Sequence, residues 1–315
     1  MKRLNKTEVC EFFQGRDRFV ILTHRRPDGD TLGSAAALCL GLRQLGKTAH
    51  VLHNPEVTEK YTWLVRNISK QEISPEDTLV CVDVASPGML PEAFAHLQDK
   101  IALRIDHHAS ATGFTPVSLV DGKAAACGQL IYDVLMEMGV SLTQPIADAL
   151  YTAISTDTGC FRYANTQSHT FQVAAACAQV SENLFKLNQV LFETNSLGRL
   201  RLQGWLIDHA KFYQEGKICI CALPLSVERE MGLTEDDLEN ISGFPRTIEG
   251  VKIAATLRQQ PDGLVKISVR ALPGYNGAAI CEKFGGGGHA GAAGCSMDLP
   301  LEEAVEALVS AMPQI

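Results

Sequence analysis

Residues 18–46 read RFVILTHRRPDGDTLGSAAALCLGLRQLG, and this stretch decides the fold. A short apolar run, RFVILTH, ends abruptly in the turn-forming residues RRPDGD. A segment of helical length and composition follows directly. A strand that passes through a tight turn into a helix is typical of the repeating unit of an α/β sheet.

The same alternation continues through the first part of the chain. AHVLHN (49–54), TLVCVDVAS (78–86) and KIALRIDHH (100–108) are further predicted strands, and TPVSL (115–119) is a short one. Near-continuous Val, Ile and Leu runs separated by helices indicate a parallel sheet with helices on both faces. A mostly helical stretch follows, from about residue 124 to residue 212.

The pattern changes from GKICICALPL (216–225) onward. Strands KIAATLRQQ (252–260) and LVKISVRAL (264–272) flank a PDG turn, which predicts a hairpin. A helix, a glycine run and a final helix complete this part, and the mixture indicates a separate, smaller α+β domain. The predicted domains are 1–185, an α/β domain; 186–215, a helical linker; and 216–315, the α+β domain.

Composition limits the class of partner. Hydrophobic residues make up 46% of the 315 residues and charged residues 20%, as in ordinary globular proteins. The net charge of −8 argues against a broad basic surface for duplex nucleic acid. A negative chain still binds a short anion when metal ions and a few arginines supply positive charge locally. The partner we expect is therefore small and bound in a cleft.

Cysteine usage and the terminus predict the compartment. The ten cysteines contain no CxxC pair, and several lie in apolar runs where cysteine acts as a small hydrophobe. This usage indicates a reducing compartment rather than a disulfide scaffold. The N-terminus lacks a signal-type apolar core, and no segment has about 18 consecutive apolar residues. We therefore expect a soluble, cytoplasmic protein with no membrane partner.

Four clusters of acidic and imidazole side chains lie at or just after predicted strand or helix ends. Ligands of open parallel sheets bind outside the carboxyl ends of the strands, so the sheet itself brings three of the clusters to one edge. Each cluster alone also fits an ordinary role, as a solvated turn, a helix cap or a paired buried acid. The clusters are His24, Asp28 and Asp30; Asp83; Asp106, His107 and His108; and Asp157.

Taken together, the clusters predict a pair of divalent metal ions. Carboxylate and imidazole ligands without thiolate suit Mn²⁺ or Mg²⁺ better than structural zinc. Five candidate carboxylates around one ion would repel one another, whereas two ions about 3.5–4 Å apart would neutralise them. Such a pair clamps the attacking and leaving oxygens of an in-line displacement. Hydrolysis of phosphate esters is the chemistry that uses both features.

The motifs also resemble a known family. THRRPDGD, VDVAS, IDHH and STDTGCFR, in this order and spacing, are similar to the four motifs of the DHH phosphoesterases. GGGGHAGAAG resembles the signature of the DHHA1 substrate-binding domain. The resemblance extends from Arg18 to Met297. In its length and in the sequences of its motifs, the chain most resembles the bifunctional oligoribonucleases (nanoRNases) that also hydrolyse 3′-phosphoadenosine-5′-phosphate (pAp).

The resemblance implies a role for each motif residue, around two divalent ions with Mn²⁺ ahead of Mg²⁺ or Co²⁺. The motif positions show no departure from the family pattern, so nothing in them indicates a dead enzyme. The implied roles are ligands of the first metal, His24 and Asp28; ligands of the second, Asp30, His107 and Asp157; a bridge between them, Asp83; a residue that orients an imidazole, Asp106; and a residue that contacts the phosphate or positions the nucleophile, His108.

The glycine run GGGGHAGAAG (285–294) lies inside a domain rather than between domains. Glycines expose backbone N–H groups without steric cost, so we favour binding of an anion over a purely structural use. The resemblance implies that Ser268, Arg270 and His289 hold the terminal phosphate or base end of a short nucleotide. The predicted substrate-binding residues are His289, Gly287 and Gly288; Ser268, Arg270 and Arg258 on the hairpin strands; and Arg104 beside the metal motifs.

The implied activity is hydrolysis of RNA of about two to five nucleotides to mononucleotides, and of pAp to AMP. A grip on both ends of the substrate would limit its length, which fits the small number of basic residues. The alternative is hydrolysis of cyclic or linear signalling dinucleotides, of the cyclic di-AMP or pApA type. A nucleotide sensor without activity is a further alternative. Relatives often dimerise through the helical segment, so a homodimer is also expected.

Overall fold

The structure is a computed structural model that describes residues 2–109, 111–238 and 241–315. The chain folds into two compact units, Met1–Thr194 and Asn195–Ile315. Each unit has its own sheet and its own hydrophobic core. No helix of the described ranges is long and apolar enough to cross a lipid bilayer.

The first unit is built on a parallel sheet. Its strands, in the described residues, are β1 (Lys2–Arg3), β2 (Arg18–Leu22), β3 (Thr48–Leu52), β4 (Ser69–Lys70), β5 (Thr78–Val82), β6 (Ile101–Asp106) and β7 (Val117–Val120). Their order in the sheet is β1-β7-β6-β5-β2-β3-β4, and every neighbouring pair is parallel. Because β3 and β4 lie on one side of β2 and β5 to β7 on the other, the winding reverses between β2 and β5.

Helices cover both faces of this sheet. The α-helices all contribute to one core, and they are α1 (Lys6–Gln14), α2 (Gly29–Gln44), α3 (Thr62–Val65), α4 (Cys127–Glu137), α5 (Gln144–Asp157), α6 (Ser168–Ala178) and α7 (Leu184–Asn188). One face packs on α1, α2 and α4 in a core that contains Leu38 and Ile105. The other face, which contains Leu22, is covered by the 3₁₀ segment Glu92–Lys100 through Leu97. The predicted α/β class with a parallel sheet is confirmed.

Helix α2 is held close to α5, which matters for the site. Asp28 caps the start of α2, because its carboxylate accepts the N–H groups of Asp30 at 3.0 Å and Thr31 at 3.2 Å. A Cβ atom at Gly33 would lie 2.4 Å from the Ala149 carbonyl oxygen. Only glycine at this position lets the two helices approach so closely.

The second unit has a mixed sheet. Its described strands are β8 (Lys211–Tyr213), β9 (Ile218–Leu223), β10 (Ile253–Gln259), β11 (Val265–Ala271), β12 (Gly287–His289) and β13 (Ala292–Met297), in the order β12-β13-β11-β10-β9-β8. Only β9 and β10 pair in parallel among these strands. β10 and β11 are antiparallel with Ile253 opposite Ala271, which confirms the predicted hairpin.

Helices pack on both faces of the second sheet. They are α8 (Leu197–Asp208), α9 (Leu225–Glu230), α10 (Glu235–Leu238), α11 (Gly277–Glu282) and α12 (Leu301–Ala311). Helices α11 and α12 share one core with β10, β11 and β13. Helix α8 covers β9 and β10 on the opposite face through Leu202 and Leu206. Residues 186–215, predicted as a linker, are therefore shared: α7 ends in the first unit and α8 begins the second.

Candidate metal centre

Three of the sequence clusters meet at one edge of the first sheet. β2, β5 and β6 are neighbours in the sheet, and each is followed directly by candidate residues. His24 lies two residues after β2, Asp83 follows β5, and Asp106 is the last residue of β6. This edge includes the point between β2 and β5 where the winding reverses, which is where sheets of this type bind ligands.

The first group of candidate ligands is His24, Asp28 and Asp83, whose ligand atoms lie within 4.8 Å of one another. His24 Nε2 is 3.7 Å from Asp28 Oδ1 and 3.5 Å from Asp83 Oδ2. On the other side of the ring, His24 Nδ1 is 2.7 Å from the Arg25 carbonyl oxygen. A proton on Nδ1 satisfies that carbonyl, so Nε2 is the nitrogen that faces the carboxylates.

The second group is Asp30, His107 and Asp157, which come from α2, the loop after β6 and the end of α5. His107 Nε2 is 3.6 Å from both Asp30 Oδ2 and Asp157 Oδ2. His107 Nδ1 faces the Ala124 carbonyl oxygen at 3.2 Å. The imidazole is therefore held by the backbone on one side and presents Nε2 to two carboxylates on the other.

Asp30 is fixed by the start of α4. Its carboxylate accepts the backbone N–H groups of Cys127 at 2.7 Å and Gly128 at 2.9 Å. Ser34 Oγ donates a further hydrogen bond to it at 3.1 Å. The residue before α4, Ala126, has no capping side chain, so Asp30 caps this helix from a distant part of the chain.

Asp83 lies between the two groups. Its Oδ1 is 3.5 Å from Nε2 of His107 and its Oδ2 is 3.5 Å from Nε2 of His24. Its φ of +60° is costly for a residue other than glycine, by about 1–3 kcal/mol. Asp83 is 2% exposed, and no donor in the described part of the chain reaches its Oδ1. A buried carboxylate oxygen in this state needs a compensating positive charge.

The donor set fits divalent cations. The five separations between 3.5 and 3.7 Å are too long for good hydrogen bonds. Atoms held about 2.0–2.2 Å from one ion lie about 3.0–3.6 Å apart, which is close to the observed spacing. In the groups that the described residues form, the donors are carboxylate oxygens and imidazole nitrogens. Such donors suit Mn²⁺ or Mg²⁺.

The electrostatics of the cluster lead to the same conclusion. Desolvation raises the pKa of Asp30 and Asp157 well above the usual range, and the charge of Asp83 raises both further. Desolvation opposes protonation of His24, but Asp28 and Asp83 outweigh it and hold the His24 pKa well above its usual value. Desolvation also opposes ionisation of Asp28, yet the His24 imidazole helps lower the Asp28 pKa to about 2. Bound cations would remove this repulsion.

His108 and Asp106 form a pair beside the cluster. His108 Nδ1 is 2.8 Å from Asp106 Oδ1 and 3.5 Å from Asp83 Oδ1. Desolvation lowers the pKa of His108, but Asp106 and Asp83 outweigh it and raise the pKa to about 9. The imidazole that Asp106 orients is therefore that of His108, while the backbone orients His107.

Asn54 also supports the site, although it lies outside the sequence motifs. It is buried, and its Nδ2 donates to Thr23 Oγ1 at 3.0 Å and to the His24 carbonyl oxygen at 2.9 Å. Its Oδ1 accepts the N–H of Glu56 at 3.0 Å. The sequence signal was available, because Asn54 is a polar residue just past an apolar strand, as Asp83 is.

Four predicted substrate-binding residues share one face of the second sheet. Ser268 and Arg270 lie on β11, Gly287 and His289 lie on β12, and β13 runs between them. Arg270 and His289 pair with the same residue of β13, Ala292, from opposite sides. Directly paired residues point to the same face, so an arginine and a histidine flank a floor of small residues. Ala292 is exposed, so this floor is open.

Part of the glycine run forms an edge strand, β12, and packing explains two of its glycines. A Cβ atom at Gly286 would lie 2.2 Å from the Gly294 carbonyl oxygen. Gly288 has a φ of +137°, and a Cβ there would lie 2.7 Å from the Ala292 carbonyl oxygen. The close packing of the paired strands therefore requires glycine at both positions, whether or not these residues also bind a ligand.

Two predicted substrate-binding arginines are engaged within their own units. Arg258 Nη2 lies 2.7 Å from Glu228 Oε1 and 2.9 Å from Glu235 Oε1. Arg104 is fully buried, and its Nη1 donates to the carbonyl oxygens of Ala85 and Thr112. Arg258 is thus paired with two carboxylates and Arg104 is held in the interior, so neither residue belongs to the proposed substrate site.

Comparison with known proteins identifies matching domains and relatives. The DHH family, N-terminal domain, matches residues 18–154, and the DHHA1 domain matches residues 216–315. The bifunctional oligoribonuclease and PAP phosphatase NrnA of Thermus thermophilus is 32% identical, over 93% of this chain and 88% of that protein. The cyclic-di-AMP phosphodiesterase PdeA of Listeria monocytogenes is 26% identical, over 98% of this chain and 49% of that protein.

Solved structures share the fold. An exopolyphosphatase-related protein from Bacteroides fragilis superposes with a TM-score of 0.87 at 23% identity, covering 97% of this chain and 94% of that one. RecJ of Thermus thermophilus in complex with Mn²⁺ gives a TM-score of 0.55 at 13% identity, covering 98% of this chain and 55% of that one. From its DHH and DHHA1 matches and its 32% identity to NrnA, the chain belongs to the DHH/DHHA1 phosphoesterase family and is a hydrolase.

Proposed function

We propose that this hydrolase degrades RNA of about two to five nucleotides to mononucleotides and converts pAp to AMP at the same site. The observation that carries the proposal is the position of Asp83, whose buried carboxylate faces His24 on one side and His107 on the other. The name of the Thermus thermophilus relative NrnA includes both activities. The Mn²⁺ complex of RecJ, which shares the fold, supports a metal-dependent mechanism.

Two divalent cations, Mn²⁺ ahead of Mg²⁺ or Co²⁺, would supply the Lewis acidity that activates water and neutralises the phosphate. The residues of the chain would hold and orient the reacting groups. Asp106 keeps His108 in place, and His108 would contact the substrate phosphate or position the nucleophile. The proposed ligands are His24 and Asp28 for one cation, Asp30, His107 and Asp157 for the other, and Asp83 for both.

Selection for short substrates would come from the second unit. Arg270 and His289 flank a floor of small residues on an open sheet face, with Ser268 and Gly287 in the adjoining row. Gly288 pairs with the buried Ala293 and faces the other side of the sheet, so only its backbone would contribute to this surface. A guanidinium and an imidazole beside such a floor suit the terminal phosphate or base of a short nucleotide. The net charge of −8 disfavours long or duplex nucleic acid.

A product assay with Mn²⁺ tests the proposal. The substrates are pAp, a dinucleotide, a five-mer, a long RNA and cyclic di-AMP, each at the same concentration. We expect rapid turnover of pAp, the dinucleotide and the five-mer, and loss of all three activities in Asp83→Asn. Preference for the long RNA would contradict the proposed length limit, and normal turnover by Asp83→Asn would contradict the metal centre.

A second candidate function is hydrolysis of cyclic or linear signalling dinucleotides. The observation that favours it is the match to the cyclic-di-AMP phosphodiesterase PdeA, which covers 98% of this chain. The same assay separates the two, with pApA added as a linear substrate. Faster turnover of cyclic di-AMP or pApA than of pAp and the RNA dinucleotide would select the second function.

We also infer that the protein acts as a homodimer in the cytoplasm. The helical end of the first unit exposes large apolar side chains, with Phe171 at 55% and Phe185 at 76% exposure. A second copy of the chain would bury them. All ten cysteines are free, which suits a reducing compartment. Light scattering should report a dimer for the unmodified protein and a monomer for Phe185→Asp; a monomer in both would refute the dimer.

A further inference from the structure

Arg104, on β6, is the largest fully buried side chain of the described residues, although it is charged. Side chains alternate along a strand, so Leu103 and Ile105 enter the core with α2 and α4 while Arg104 points to the other face. Burying a guanidinium costs several kcal/mol unless good hydrogen bonds compensate it. A buried arginine is therefore expected where its bonds serve a purpose that an apolar residue could not.

The bonds of Arg104 reach two loops. Its Nη1 donates to the Ala85 carbonyl oxygen at 3.0 Å, in the loop that follows β5. The same atom donates to the Thr112 carbonyl oxygen at 2.6 Å, in the loop that follows β6. The guanidinium lies 5.0 Å from the centre of the Phe114 ring. One side chain thus holds two of the loops that carry candidate ligands, the loop with Asp83 and the loop with His107.

The two loops are also bonded to each other at the same point. The Thr112 N–H donates to the Ala85 carbonyl oxygen at 2.9 Å, so this oxygen accepts from Arg104 and from the neighbouring loop. The Ala111 N–H donates to the His108 carbonyl oxygen at 3.1 Å. Thr112 is therefore tied to the loop that begins at Asp83, and Ala111 is tied to His108.

The strained backbone of Asp83 needs such support. A residue other than glycine stays at positive φ only when its neighbours determine its position. Thr31 Oγ1 donates to the Val82 carbonyl oxygen at 3.0 Å and fixes the residue before Asp83. Arg104 fixes Ala85, two residues after Asp83. Asp83 is thus held from both sides.

We propose that Arg104 is a positioning residue for the metal centre, which sets the direction in which Asp83 and His107 present their ligand atoms. This inference rests on the proposed divalent-metal site. Arg104 acts through backbone carbonyls and touches neither substrate nor cation. Lysine would keep the charge but lose the planar group that lies over Phe114 and the fixed geometry in which that group directs its N–H donors.

The test is a titration of Mn²⁺ into the full-length, metal-stripped protein, followed by calorimetry. Arg104→Lys should weaken Mn²⁺ binding about 10- to 100-fold, as changes to residues that orient ligands do. The matched control is Arg43→Lys in the same unit. Arg43 Nε also donates to a backbone carbonyl, that of Ala49 at 2.7 Å, but it lies in the last turn of α2, about 20 Å along the helix from Asp30. Its Mn²⁺ affinity should be unchanged.

Two further readouts separate positioning from simple stability. At saturating Mn²⁺, Arg104→Lys should recover its kcat on a dinucleotide with an unchanged KM, since it does not touch substrate. Phe114→Leu, which keeps the arginine but removes the ring beside it, should weaken Mn²⁺ binding in the same direction by a smaller factor. This second variant decides the question if Arg104→Lys does not fold, as judged by circular dichroism.

The outcomes distinguish this inference from the proposed function. Mn²⁺ binding of normal affinity in folded Arg104→Lys, or in Phe114→Leu where the lysine variant is unfolded, would overturn the positioning role and leave the metal site standing. Absence of Mn²⁺ binding by the unmodified protein would refute the metal site and this inference together.

Discussion

Helix α5 carries an aspartate near each end, and the two have opposite surroundings. Asp148 is buried and accepts hydrogen bonds from Ser181 Oγ and, at 2.7 Å, from Asn183 Nδ2. Asp157, at the carboxyl end, lies 3.6 Å from His107 Nε2 among other carboxylates. Desolvation and these neighbouring charges raise its pKa well above the usual range. The same residue type, in the same helix, is stabilised at one end and repelled at the other.

The difference predicts which of these two acids is structural and which is functional. A carboxylate surrounded by hydroxyl and amide donors stabilises the folded chain, because its buried charge is compensated. A carboxylate surrounded by other carboxylates destabilises the fold until a cation compensates it, and such sites are where catalysis is expected. The surroundings of an acid therefore indicate its role better than its burial does.

The largest expected effect is at the functional end of α5. Asp157→Asn removes a charged ligand, so turnover of a dinucleotide with Mn²⁺ should fall about 10³-fold, which corresponds to about 4 kcal/mol. The amide also removes repulsion, so the melting temperature of the metal-free protein should stay the same or rise. Initial rates and thermal melts measure both. Near-normal turnover would mean that the two ends of α5 do not differ in function.

The structural end of α5 should show the converse behaviour. Asp148→Asn replaces a charged group with two acceptor oxygens by a neutral amide with one, so the bond from Ser181 or from Asn183 is lost and unfolding should become easier by about 2–3 kcal/mol. In a unit of this size the melting temperature should fall by about 4–12 °C. The folded variant should keep normal turnover with Mn²⁺. Loss of turnover without loss of stability would assign Asp148 to the site.

Mn²⁺ itself should distinguish the two ends. At about 100 times the dissociation constant, a ligand that binds only the folded state stabilises it by about 2.7 kcal/mol. Calorimetry should therefore show a higher melting temperature with Mn²⁺ for the unmodified protein and for Asp148→Asn, reversed by a chelator. Asp157→Asn should lose part of this shift, because it removes a ligand of one cation and leaves the ligands of the other. An equal shift in Asp157→Asn would show that Asp157 does not bind Mn²⁺.

The smallest expected effect concerns Asp77, a half-buried acid with compensated charge directly before β5. Lys70 Nζ lies 2.6 Å from Asp77 Oδ2 and Arg18 Nε 3.1 Å from Oδ1, and with the N–H of Ser74 they outweigh desolvation and lower the Asp77 pKa. Its stabilising contribution is thus present above the unfolded pKa, about 4, and is lost as the pH falls through the folded value.

The measurement compares thermal melts of Asp77→Asn and the unmodified protein over a pH series. At pH 7 the variant should melt at the lower temperature, and the difference should shrink as the solution is acidified toward the folded pKa. A difference that does not change with pH would show that the charge of Asp77 contributes nothing.

The convergence of candidate residues at one edge of the first sheet was predictable, because it follows from strand direction alone. Apolar runs predicted β2, β5 and β6, and parallel strands place their carboxyl ends at one edge. His24, Asp83 and Asp106 therefore had to approach one another. The convergence of Asp157 on the same point was not derivable in this way, since it depends on the close packing of α5 on α2 through Gly33.

Other features depend on contacts that no local pattern records. β1 and β4 have two residues each, and they join the sheet through backbone hydrogen bonds that require no apolar alternation. In the sequence, Arg104 is an arginine beside a metal motif. Whether its side chain faces a substrate or the core depends on which face of β6 it occupies, and the sequence does not specify that face. The glycines at 286 and 288 serve a strand pairing that is formed with residues further along the chain.

The bond between Asp30 and the start of α4 has a consequence for how this family diverges. Cys127 and Gly128 depend on that carboxylate to satisfy their N–H groups, so selection for folding alone is enough to retain an acid at position 30. A descendant that abandons hydrolysis is expected to lose His24 or Asp157 first. An aspartate at position 30 in a distant homologue is accordingly expected from common descent alone, and it is a poor indicator of retained hydrolytic activity.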